Sequence, residues 1–96
     1  MHGLIVRFKA AEGRRDELVS ILLENAGSLP GCRSYVVARD PQDAEGIWVT
    51  EVWDDAQAHK ASLSLPSVQE AIGRARPLIA GVAERFETEP VGGRGA

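Results

Sequence analysis

The run from Ile47 to Trp53 admits little besides a strand. All of it but Glu51 is apolar, aromatic or β-branched, and such side chains crowd a helix but pack well on a pleated sheet. Period-two alternation puts Ile47, Val49, Glu51 and Trp53 on one face and Trp48, Thr50 and Val52 on the other. Asp54 and Asp55 follow at once, and either carboxylate suits a helix N-cap. A helix is therefore expected from about Asp55, with Ala56, His59, Ser62 and Leu63 on neighbouring turns until Pro66 interrupts it. A carboxylate, a tryptophan and a histidine can then border one pocket.

Three other stretches alternate with the same period: Gly3 to Ala10, Cys32 to Arg39 and Gly81 to Thr88. In the first, Leu4, Val6 and Phe8 oppose Ile5, Arg7 and Lys9. In the second, Cys32, Ser34, Val36 and Ala38 oppose Arg33, Tyr35, Val37 and Arg39. In the last, Val82, Glu84 and Phe86 oppose Ala83, Arg85 and Glu87. Between the first two, Arg14 to Ala26 carries Leu18, Ile21 and Leu22 at helical spacing, with Gly27 as a C′ residue and the turn pair Pro30-Gly31 closing the connection. Asp40 to Glu45 is short enough to make the second and third strands a hairpin. After Pro66, Ser67 is placed to cap a further run in which Val68, Ala71, Ile72 and Ala75 recur at helical spacing, ended by Pro77.

Strand, helix, strand, strand, helix, strand is the order of an α+β fold of the ferredoxin-like, split βαβ type, with a four-stranded antiparallel sheet. A single domain over residues 1–90 is expected, followed by a flexible polar tail at 91–96. Helices can cover only one face of such a sheet. The other would expose Ile5, Tyr35, Val37, Trp48 or Trp53, more contiguous apolar surface than a monomer of this size normally leaves wet. A homodimer with the two sheets face to face is therefore expected, each half keeping a cavity between sheet and helices as its ligand site.

A net charge of −3 with both signs interspersed gives no footprint for nucleic acid. The lone Cys32 cannot form an internal disulfide, which suits a reducing cytoplasm, and neither a secretory leader nor a membrane span is apparent in the pattern. His2 and His59, far apart in sequence, make no recognisable metal-ligand spacing, so no metal is expected.

The order of elements, Pro-Gly-Cys at Pro30 to Cys32, Thr-Glu-Val-Trp at Thr50 to Trp53, and the helix ending at Ala61 to Pro66 resemble the antibiotic biosynthesis monooxygenase family of dimeric α+β barrels, from Leu4 to about Glu89. The resemblance implies a cofactor-independent monooxygenase acting with O₂ on a small aromatic phenol or hydroquinone. Relatives resembling quinol monooxygenases carry histidines where this chain has Ser62 and Ser67. The Asn, Trp and His of the haem-degrading branch fall at Val6, Ser62 and Ile72, so that branch is disfavoured. Of the residues used by the polyketide oxygenases, matched here to Val49, Trp53 and His59, only the tryptophan is present.

Each candidate residue has a functional and a plain structural reading. Trp53 either walls an aromatic substrate or packs a core or interface. Glu51 is either a base or an ion-pair partner of Arg7, Arg33 or Arg85. His59 either exchanges a proton near neutral pH or stands in solvent on its helix. Arg7 and Tyr35 are candidates for orienting the substrate. Glu51 and His59 are thus the expected catalytic pair, with Trp53, Arg7 and Tyr35 binding substrate. The alternatives to a monooxygenase are a non-catalytic dimeric module that binds a small aromatic molecule, a stress-related protein with only structural use of the same cavity, and an isomerase of a small phosphorylated sugar-like ligand, which would need a more cationic pocket.

Overall fold

The computed structural model describes residues 1–96. Its elements follow the expected order: β1 (His2–Ala10), α1 (Arg15–Leu23), β2 (Cys32–Arg39), β3 (Gly46–Trp53), α2 (Ala56–Ser62), α3 (Pro66–Ala75), a 3-10 turn (Arg76–Leu78) and β4 (Ile79–Thr88). The four strands form one antiparallel sheet in the order β2-β3-β1-β4, and the fold is ferredoxin-like α+β.

The two central strands carry the core. Leu4, Val6 and Ala10 of β1 and Ile47, Val49 and Trp53 of β3 are buried under the helices. From the helix side, α1 inserts Leu18 and Ile21, and α3 inserts Ala71 and Ala75. Ala71 and Ala75 of α3 join Leu18 and Ile21 of α1 in one buried cluster with Ile47 and Val49.

Several local expectations change for identifiable reasons. Helix α1 stops at Leu23, ahead of Ala26, because no core-facing apolar residue follows; the chain unwinds through successive turns, and Gly27 lies in them instead of serving as the C′ residue. Asn25 donates its amide to the Ser67 carbonyl at 3.2 Å and so ties the end of α1 to the start of α3. Ser67 does not cap α3. Pro66 itself occupies the first turn, where its missing N–H costs nothing, and Leu65 stands at the N-cap. Strand β4 begins two residues earlier than Gly81.

Strict alternation also fails along β4. Arg7 pairs with Glu84 but Phe8 pairs with Val82, so Ala83 is an extra residue, and a second shift follows between Lys9 and Ala10. These bulges turn Val82 and Arg85 toward the same face, although two-residue periodicity separates them.

The open face differs from the expected one. Tyr35 lies opposite Glu51 and Val37 opposite Val49, and residues paired across strands share a face; with Trp53 on that face as well, all three point toward the helices. Ile5 and Trp48 do occupy the open face, joined by Val36 and Phe86, which are 52% and 49% exposed. The Arg7 guanidinium lies 5.8 Å from the Trp48 ring there, and Trp48 donates its indole N–H to Asp40 at 3.2 Å. Past Thr88 the chain turns back over this face: Pro90 packs above Gly3, and Gly95 comes beside Ser34 at the far edge.

Leu18 is fully buried at the junction of sheet and helices. Leu18→Ala should therefore lower unfolding stability by about 3 kcal/mol, within the range for large-to-small core changes, as measured by urea denaturation.

Candidate functional site

Helix α2 is only two turns long and packs against β3, and a gap remains between the sheet and the helices. The gap is a cavity of about 530 Å³ with 15 hydrophobic residues among its 21 lining residues. Its polar side chains come from separate elements: Tyr35 from β2, Glu51 from β3, His59 and Ser62 from α2, Arg76 from the 3-10 turn and Arg85 from β4, with Asn25 following α1.

Glu51 explains much of the arrangement. A carboxylate on the covered face of an apolar strand must be compensated, and its partner is the indole N–H of Trp53, which donates to Oε1 at 2.9 Å. The expected arginine partners are engaged elsewhere: Arg7 with Glu84 at 3.1 Å, Arg33 with Asp54 at 2.6 Å and Arg85 with Glu87 at 3.3 Å. Trp53 is 1% exposed, so its ring packs in the core and its edge serves the site, which unites its two readings.

Helix α2 is set by its cap. The Asp55 carboxylate accepts the Ala58 N–H at 2.7 Å, as two consecutive aspartates after a strand suggest. Below it, Leu29 to Cys32 forms a tight turn closed by a 3.1 Å bond, with Gly31 at φ +79°, a conformation that favours glycine. The Gly31 carbonyl accepts the Asp54 N–H at 2.8 Å, and a Cβ at Gly31 would come within 2.7 Å of the Ala58 Cβ. The Pro-Gly-Cys motif thus seats α2.

That seating brings His59 against Trp53, with ring centroids 5.2 Å apart and planes inclined at 59°; the His2 ring stands 6.0 Å from His59. Burial is the largest influence on His59 and pushes its pKa below the ordinary imidazole value, while the Glu51 carboxylate pulls it partly back up. Neutral imidazole therefore predominates at neutral pH. Burial, helped by Glu51, pushes the Tyr35 phenol well above its usual pKa, so Tyr35 keeps its proton and remains a hydrogen-bond donor. Cys32 is half-buried, and burial raises its pKa too, as expected of a packed thiol.

Four of the five sequence-selected residues, Tyr35, Glu51, Trp53 and His59, thus line one cavity. Arg7 does not join them. It lies on the opposite face of the sheet, bound to Glu84 and Asp43, because odd-numbered positions of β1 point away from the helices. No group of three or more histidine, cysteine or acidic side chains is placed to hold a metal. No helix is long and apolar enough to cross a membrane.

The family model described as antibiotic biosynthesis monooxygenase matches residues 1–74. The chain belongs to this family. A crystal structure of a candidate antibiotic biosynthesis monooxygenase from Chloroflexus aurantiacus is 60% identical, covers 97% of this chain and 95% of that one, and superposes with a TM-score of 0.94. Candidate family members from Deinococcus radiodurans and Caulobacter crescentus share the fold at 24% and 19% identity, with TM-scores of 0.80 and 0.83; they cover 97% and 95% of this chain and 95% and 90% of their own. No curated protein matches the chain.

Within this antibiotic biosynthesis monooxygenase fold, the serines at positions marked by histidine in quinol-monooxygenase-like relatives are accounted for differently. Ser62 is 5% exposed and donates its hydroxyl to the His59 carbonyl at 2.6 Å, while the Ser67 carbonyl receives Asn25. Two cavity residues carried no signal strong enough to be chosen from sequence. Arg76 follows α3 within the 3-10 turn, and Arg85 faces the cavity because it pairs with Val6, on the helix side of β1.

NMR titration of His59 should give a pKa below about 6.5, and Glu51→Gln should lower it further, since the lost carboxylate favoured the imidazolium. The unfolded chain then binds the proton more tightly than the folded one. This histidine's contribution to stability is therefore complete above about pH 6.5 and is lost as pH falls through the lowered folded value.

Proposed function

We propose that the chain is a cofactor-independent monooxygenase that oxidises a small phenol or hydroquinone with O₂. The observation that carries this reading is the convergence of a neutral imidazole, a protonated phenol and a hydrogen-bonded carboxylate on one apolar cavity of suitable size. The substrate ring lies beside Trp53. His59 accepts the phenolic proton, and Glu51 stabilises the imidazolium that forms. Tyr35 donates a hydrogen bond to a substrate oxygen. The resulting electron-rich anion gives an electron to O₂ within apolar walls that exclude water. For a hydroquinone that becomes a hydroxyquinone, four electrons leave the substrate; O₂ supplies one inserted oxygen and one water, so the balance needs no separate reductant. Arg7 has no part in this reading. A cytoplasmic setting accords with the single Cys32 thiol.

One observation favours binding without catalysis: Ser62, where a family histidine would add a second proton carrier, is tied to the helix backbone. Oxygen uptake with a panel of dihydroxynaphthalenes and anthrones separates the two readings. Activity should rise with pH through a pKa below about 6.5, because His59 must be neutral to accept a proton. His59→Gln should lower kcat about a hundredfold. Tight binding of the whole panel without oxygen uptake would leave the binding module as the function.

The same reading has two copies meeting through their open faces, supported by the exposed Val36 and Phe86. Sedimentation should give a dimer, and Phe86→Asp should shift it to a monomer.

A further inference from the structure

Two histidines distant in sequence meet at one end of the sheet. His2 is paired with Trp53 across β1 and β3, so its side chain leaves the sheet on the covered side, which also carries the buried Leu4 and Val6. Helix α2 brings His59 to the same place. The two rings stand 6.0 Å apart between centroids, with planes inclined at 31°. Imidazoles joined by a direct N–H···N bond are about 5 Å apart by this measure, so a side-chain shift of about 1 Å closes the gap.

Their surroundings give the pair a direction. His59 lines the cavity, whereas His2 does not and is half-buried at the start of its strand, beside the exposed Met1. His59 therefore touches the cavity and His2, and His2 touches His59 and solvent. The charged groups acting on His59 come from three strands: Glu51 of β3, His2 of β1, and Arg85 and Glu87 of β4. Among them only an imidazole accepts a proton at one nitrogen while its other nitrogen donates. A charge on His2 lowers the proton affinity of His59, so the pair holds one proton more readily than two.

Oxidation in the cavity calls for such an exchange. Forming water from O₂ takes up two protons, which the substrate supplies, and His59 holds one at a time. A second carrier on α2 is missing, because position 62 is a serine whose hydroxyl donates to the His59 carbonyl.

We propose that His2 is a proton relay between His59 and solvent. The phenolic proton passes to His59, the proton on the other His59 nitrogen passes to His2, and His2 gives the proton on its outer nitrogen to water. The reverse sequence returns protons to the reduced oxygen, so none is gained or lost overall. The relay's use in turnover rests on the reading of His59 as the proton acceptor, but exchange between the two rings needs no substrate.

The test is His2→Phe, which keeps a ring against His59 and removes the proton path, with His2→Gln as a second variant expected to behave alike. In isotope-labelled protein at low temperature, NMR exchange of the His59 ring N–H with water should slow about tenfold in either variant, and free imidazole should restore it. With a hydroquinone that supports oxygen uptake, kcat in weak buffer should fall by a similar factor at unchanged KM; free imidazole should rescue it, and sodium chloride of equal ionic strength should not. Exchange that is unchanged or faster in both variants, or a loss of kcat that imidazole does not rescue, would overturn the relay even in an active monooxygenase. Slowed, imidazole-rescued exchange in a protein that consumes no oxygen with any hydroquinone would remove the monooxygenase reading and leave the relay standing.

Discussion

The bond from the Trp53 indole to Glu51 is the interaction on which the site depends. It lets a charged group lie on the covered face of an otherwise apolar strand without an arginine beside it. An arginine there would fill the cavity and neutralise the carboxylate's effect on its surroundings. An indole instead spends one N–H on the carboxylate and its carbon skeleton on the core. Glu51 can then act on His59, Tyr35 and Cys32 together, raising the pKa of all three, against the burial that lowers it in the histidine alone. One hydrogen bond within a strand thereby joins the packing of the fold to the proton affinities of its cavity.

Much of this architecture was legible in the sequence because the constraints behind it are local. Alternation in β3, the aspartate cap of α2 and the Pro-Gly turn each depend on neighbours within a few residues, and each is found where it was expected. The partner of Glu51 was not legible in the same way. Its neighbour two positions along competed with three arginines whose other commitments, to Glu84, Asp54 and Glu87, exist only in three dimensions. Arg7 was misplaced for a related reason. Its strand's two faces are clear in the sequence, but which one meets the helix-side cavity depends on how all four strands pair. Ala83 shows the limit most sharply, since one extra residue in β4 brings Val82 onto the face that Arg85 occupies, and no composition signal marks it.

Membership of the antibiotic biosynthesis monooxygenase family, with a 60% identical structure superposing over nearly the whole chain, fixes the scaffold more firmly than the chemistry. The chain's individuality lies in a handful of side chains around the cavity. Ser62 is spent on the backbone of its own helix, leaving His59 as the imidazole from that helix, and Arg76 and Arg85 also line the cavity.

The segment after Thr88 bears on how this protein meets anything else. By laying Pro90 over Gly3 and bringing Gly95 to Ser34, it roofs one end of the sheet's outer side with its own backbone. The bare strip that is left runs through Ile5, Val36 and Phe86 to the Arg7–Trp48 pair. What stays uncovered is a short platform with an apolar middle and the Arg7–Trp48 pair at its border.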